Sequence, residues 1–164
     1  MLRPDVQFAL EKRRLFPADV NEEENMISSR VRDWMTPDPI TISSDADVPE
    51  AYWLMVNHKI RRLPVVERGK LVGIITLEDL RRMMPADVIR VDPARVSDML
   101  SKTLVRHMMT KDPKTISASA LLIEAASQML EHRIGALPVM DGDKLVGIIT
   151  ESDIFRALVK QLQA

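Results

Sequence analysis

KLVGIIT occurs twice in this chain, at Lys70–Thr76 and again at Lys144–Thr150. The offset of 74 residues holds well beyond that segment. Val31-Arg32 matches Val105-Arg106, Met35-Thr36 matches Met109-Thr110, and Asp38-Pro39 matches Asp112-Pro113. Thr41-Ile42-Ser43, His58, Leu63-Pro64-Val65 and Asp79 recur in the same register as Thr115-Ile116-Ser117, His132, Leu137-Pro138-Val139 and Asp153. No gap is needed. A fixed period without insertion means one structural unit written twice. Two copies are too few for an open solenoid, so their apolar faces must close on each other as a pair. A chain of 164 residues is one domain or two very small ones, with enough core if the halves pack together.

Within a unit the pattern predicts α/β structure. Ile40-Thr41-Ile42 reads as a short strand after Pro39. Val48, Ala51, Tyr52 and Met55 fall at helical spacing, as do their counterparts Leu122, Ala125, Ala126 and Met129. RRLPVVE reads as a strand with Pro near its start, where a missing N–H is tolerated. RGK and DGDK read as hairpin turns. LVGII is a continuous apolar strand of the kind covered on both faces, and Thr76 and Thr150 then open closing helices. The unit is strand, helix, strand, strand, helix, and the pair is related by a pseudo-two-fold axis. Residues 26–84 and 105–164 are expected to form the units, 85–104 a linker, and 1–25 a non-repeating N-terminal appendage. A helix is expected over VQFALEKRRLF in the appendage and another over ARVSDMLSKTL in the linker.

Composition excludes several function classes. Net charge is −1, and there are only three Phe, two Trp and one Tyr, which argues against nucleic acid as a partner. The longest wholly apolar run, Ala51 to Val56, is six residues, far short of a membrane span. The absence of Cys excludes a disulfide framework, a thiolate zinc site and a Cys nucleophile, and it suits the expected cytoplasmic location. The first residues lack the order of basic start, apolar stretch and cleavage site that marks a signal peptide. His58 and His132 sit near expected helix ends, where a cap or dipole role suffices, and neither has a second metal ligand at helical spacing. Most of the eleven Met sit at core spacing. Met83-Met84 and Tyr52-Trp53 are the candidates for a subunit interface.

The chemistry-bearing motif is Gly-x-x-Thr-x-x-Asp at the end of each KLVGIIT strand. One copy of Thr-x-x-Asp is fully explained as a capping box, in which Thr and Asp satisfy each other's backbone N–H groups. The functional alternative is an anion site, with the Thr hydroxyl and free N–H groups holding a phosphate. In that reading Gly73 and Gly147 permit close approach to the strand, and Asp79 and Asp153 accept ribose hydroxyls. Arg82 and Arg156, three residues further on, reach a phosphate. A local Arg–Asp pair is the bland account of those arginines. The bland accounts explain each residue singly, and explain less well why Gly, Thr, Asp and Arg recur together.

VRDWMTPDPITI, HKIRRLPVVERGKLVGIITLEDL, VRHMMTKDPKTI and HRIGALPVMDGDKLVGIITESDI resemble a tandem pair of CBS domains, the arrangement called a Bateman module. The resemblance spans about residues 30–160. The segment between the units more loosely resembles small bacterial CBS proteins of the AcuB-like group. The resemblance implies binding of AMP, ADP, ATP or related adenosine ligands between the units, with no required cofactor. It also implies a homodimer built through helices and a regulated partner protein whose identity the sequence does not give. Carried over residue by residue, one composite site joins Ile148, Thr150, Ser152 and Asp153 to Met35, Ile40, Ile60, Arg61 and Arg62. The other joins Ile74, Thr76, Glu78 and Asp79 to Met109, Lys114, Ile134, Gly135 and Ala136. Arg156 and Arg82 accompany the two Asp residues. Arg61 and Arg62 favour the Asp153 cleft, while Glu78 burdens the Asp79 cleft and Lys114 compensates in part. No nucleophile, base and orienter constellation is present, so the chain reads as a regulatory module and not an enzyme. The alternative is a ligand-free interaction module that dimerises and docks a partner.

Overall fold

The two KLVGIIT segments are strands, β4 (Lys70–Thr76) and β8 (Lys144–Thr150), in the computed structural model, which describes residues 29–83 and 103–163. The expected appendage, both helices expected outside the repeats, most of the linker and Met84 lie outside the described residues. Each strand folds back antiparallel on its predecessor, β3 (Arg62–Glu67) or β7 (Ala136–Asp141). Arg68 and Gly69, with φ of 48° and 78°, make the first hairpin turn, and Gly142 at 57° enters the second. Turns of this handedness match the twist of the strands they join. β2 (Ile42–Ser43) and β6 (Ile116–Ser117) run parallel to β3 and β7. The crossover helices are α1 (Val48–Asn57) and α3 (Leu122–His132). α2 (Leu77–Met83) and α4 (Glu151–Leu162) close the units. The strand expected over Ile40–Ile42 begins only at Ile42, because just Ile42 and Ser43 find partners, in Val65 and Val66.

The fourth strand of each sheet comes from the other repeat. β1 (Thr36–Pro37) pairs with β8, and β5 (Thr110–Lys111) pairs with β4, so the sheets run β1-β8-β7-β6 and β2-β3-β4-β5. The cores follow the exchange. Val31 is buried with Leu137, Val139 and Ile149 of the second repeat, and Val105 with Leu63, Val65 and Ile75 of the first. Backbone bonds fix each crossing segment: Val31 N to Ala120 O at 3.0 Å, and Val105 N to Ala46 O at 2.9 Å. The repeats in sequence are therefore not the units of packing.

The motif glycines serve this exchange. A side chain at Gly147 would collide with Met35 Sδ and crowd the Thr36 carbonyl at 3.1 Å, and one at Gly73 would meet Met109 Sδ and the Thr110 carbonyl in the same way. What approaches the strand closely is the chain's own Met. Gly147→Val is expected to lower stability by about 1–3 kcal/mol through overpacking. Urea denaturation checks this, and a midpoint equal to the parent's would contradict the close approach.

Candidate functional site

Thr76 and Thr150 end their strands, and the chain turns into α2 and α4. Thr76 N and Oγ1 donate to Asp79 Oδ2 at 2.9 and 2.6 Å, and Asp79 N donates back to Thr76 Oγ1 at 3.2 Å. Thr150 N and Oγ1 donate to Asp153 Oδ2, both at 2.8 Å. The reciprocal bonds of a capping box are thus present in both copies. Beyond the box the copies diverge. Asp153 is 3% exposed, and its Oδ1 is taken by Arg156 Nη1 at 2.8 Å. Asp79 is half-buried, and Arg82 turns from it to Glu78, 3.9 Å away.

A cavity of about 700 Å³ opens beside Asp79, between the repeats. Ile74, Thr76, Asp79 and Arg82 line it from the first repeat, and Lys114, Ile134, Gly135 and Ala136 from the second. With Glu78, also in the lining, nine expected residues are brought together. Met109 is not in the lining; its side chain lies over Gly73 and packs on the first core. Of the residues expected opposite Asp153, Met35 lies over Gly147, while Ile40 and Ile60 pack against the first core. Ile148 is half-buried opposite Thr36 in the ladder, and Ser152 is exposed.

Arg61 and Arg62 are placed differently from the carry-over: both line the Asp79 cavity. Arg62 is opposite Thr76 in the β3–β4 ladder and starts at that end of the sheet. Its guanidinium then extends over Gly135, where a Cβ would lie 2.5 Å from Arg62 Nη2 and 2.8 Å from Glu151 Oε2. Gly135 is the counterpart of Arg61 at the repeat offset, so the missing side chain makes the seat. Burial, and then the adjacent Arg61 charge, hold the Arg62 pKa below the ordinary guanidinium value, while Glu151 opposes them. The group stays charged at neutral pH. Among the described residues it closes no salt bridge.

Sequence reasoning missed Arg81, Asp112, Pro113, Arg133 and Pro138, which also line the cavity. The repeated Asp-Pro, and Arg133 at φ 54° just past the end of α3, were the available signals. The arrangement offers apolar side chains for a planar base, a carboxylate for hydroxyls and cations for phosphate. Among the described residues no group of three His, Cys, Asp or Glu is placed to hold a metal, and no helix is long and apolar enough to cross a membrane. His58 follows the last turn of α1, its N–H bonded to Leu54 O at 3.1 Å.

The CBS domain family matches residues 31–86 and 105–160. A CBS domain-containing protein of Dictyostelium discoideum is 34% identical over 81% of this chain and 93% of its own length. Inosine-5'-monophosphate dehydrogenase of Korarchaeum cryptofilum is 33% identical over 83% of this chain, which spans only 26% of that enzyme. Among solved structures, a Vibrio cholerae protein described as an acetoin utilization protein (AcuB) is 32% identical with a TM-score of 0.66, covering 82% of this chain and 93% of its own. CBSX2 of Arabidopsis thaliana, solved with AMP, gives 30% and 0.66 over 80% and 97%. The CBS pair of MJ0100, solved with 5'-methylthioadenosine and S-adenosyl-L-methionine, gives 29% and 0.67 over 81% and 98%.

Proposed function

The chain belongs to the CBS-domain family, carrying two copies in tandem, and from that premise we propose that it binds adenosine-containing nucleotides between its repeats and relays their presence to a partner protein. One observation carries this reading: the cavity beside Asp79 is lined by both repeats at once. A ligand there contacts both, so it favours the relative orientation that it fits best. Two solved relatives hold adenosine ligands, which supports the same class here. The role is regulatory and not catalytic. The site residues supply contacts for base, ribose and phosphate, with no activated nucleophile among them.

A thermal-shift screen with AMP, ADP, ATP, NADH and S-adenosylmethionine tests the reading. A ligand at 100 times its Kd stabilises the folded state by about 2.7 kcal/mol, which a melting curve resolves. No shift with any of them contradicts it and favours the ligand-free docking module.

We also propose a homodimer formed through the helices. Phe155 (63% exposed) and Leu162 (78%) on α4, Leu130 (81%) on α3 and Trp53 (47%) on α1 are large apolar side chains left in solvent. Tyr52, expected with Trp53 at an interface, is half-buried and packs against the first core. Light scattering is expected to give twice the chain mass at micromolar concentration. A monomer there contradicts the dimer.

A further inference from the structure

We propose that Arg62, seated over Gly135, makes the Asp79 cleft selective for adenosine ligands with a phosphate chain over uncharged or cationic ones. Among the described residues, six cationic side chains line this cavity: Arg61, Arg62, Arg81, Arg82, Lys114 and Arg133. Three carboxylates accompany them, those of Glu78, Asp79 and Asp112. Asp79 is engaged by Thr76, and Glu78 faces Arg82. Among the described residues that line the cavity, positive charge is therefore in excess. Arg62 is the member whose charge burial disfavours. It is half-buried, a like charge adjoins it in sequence, and Glu151 attracts it without closing an ion pair. A phosphate chain in the cavity supplies the missing negative charge through charge-assisted hydrogen bonds that a guanidinium fork is shaped to make. A sulfonium ligand adds a further like charge instead.

Gly135 gives the seat its own test. Gly135→Ala would push on Arg62 Nη2 and Glu151 Oε2, both free ends of flexible side chains, so it displaces the guanidinium without changing any charge.

The selectivity rests on the adenosine reading, so the ligands are chosen to separate the two. The intact chain is titrated calorimetrically in EDTA, so that Mg²⁺ does not neutralise the phosphates, with ATP, AMP, 5'-methylthioadenosine, S-adenosylmethionine and inorganic tripolyphosphate. ATP is expected to bind at least about tenfold tighter than AMP, the worth of one good charge contact. S-adenosylmethionine is expected to bind more weakly than methylthioadenosine. Arg62→Gln and Gly135→Ala are each expected to bring the ATP-to-AMP ratio below threefold, about the resolution of paired titrations. Equal affinity for ATP, AMP and methylthioadenosine overturns the selectivity and leaves the adenosine reading standing. Tripolyphosphate binding that Arg62→Gln abolishes, with no affinity gained from the nucleoside, upholds the polyanion seat and removes the adenosine reading. An ATP-to-AMP ratio untouched by both substitutions overturns the role of Arg62.

Discussion

Leu63→Ala and Leu137→Ala are each expected to lower the folding stability by about 2–5 kcal/mol, with both cores still unfolding in one step. Both leucines are 0% exposed, one at the centre of each core. Truncation removes transfer free energy and leaves a cavity that sheet neighbours on both sides keep from collapsing. The single transition follows from the exchange of strands. Val31 is buried in the second core and Val105 in the first, and β1 and β5 complete the opposite sheets. Neither core keeps its full set of contacts when the other is lost. A chain carrying Trp53→Phe reads this out, because the remaining Trp34 packs against the second core. Leu63→Ala, in the first core, should move the Trp34 fluorescence midpoint in urea together with the far-UV circular dichroism midpoint. A Trp34 transition left in place while the dichroism shifts would mean that the repeats fold independently.

Asp79→Ala should weaken ATP binding by about 1.5–3 kcal/mol, the range for hydrogen bonds to a charged group, or roughly 10–150-fold. Asp79 lines the cavity with a carboxylate that, among the described residues, Thr76 alone engages. The same substitution opens the capping box, at about 1 kcal/mol of stability. Calorimetric affinity and urea stability are therefore measured on the same preparation. Lost stability with affinity intact would leave Asp79 a helix cap and nothing more. Asp153→Ala is the informative comparison. Its carboxylate is 3% exposed and already holds Arg156, so its loss falls more on stability than on ATP affinity.

The strand–helix–strand–strand–helix unit was legible because its signals are long: a seven-residue strand with a continuous apolar centre, a hairpin with turn residues, and a helix at 3.6 spacing, each written twice. The origin of the fourth strand in each sheet was not legible from periodicity. Thr36–Pro37 and Thr110–Lys111 are two-residue strands, too short to carry a period. The nine expected residues that came together around Asp79 lie in β4 and α2 on one side and, on the other, just after β5 or at and just before the start of β7, where strand pairing fixes their place. Arg62 escaped because a long side chain follows available space, and that space was set by a glycine 73 residues away in sequence. Helix α4 misleads in the opposite direction. Phe155, Leu158, Val159 and Leu162 have the spacing of a core-facing stripe, yet all four are exposed, while Asp153 and Ala157 are buried. An exposed stripe of this kind is the surface on which the proposed dimer rests.

Crystals grown with saturating ATP test the central claim most directly. The account predicts nucleotide density in the cavity between the repeats, the ribose at Asp79, the phosphates toward Arg62 and Lys114, and contacts from both repeats. A cavity left empty at millimolar ATP, or nucleotide held only on an outer face by one repeat, would contradict it.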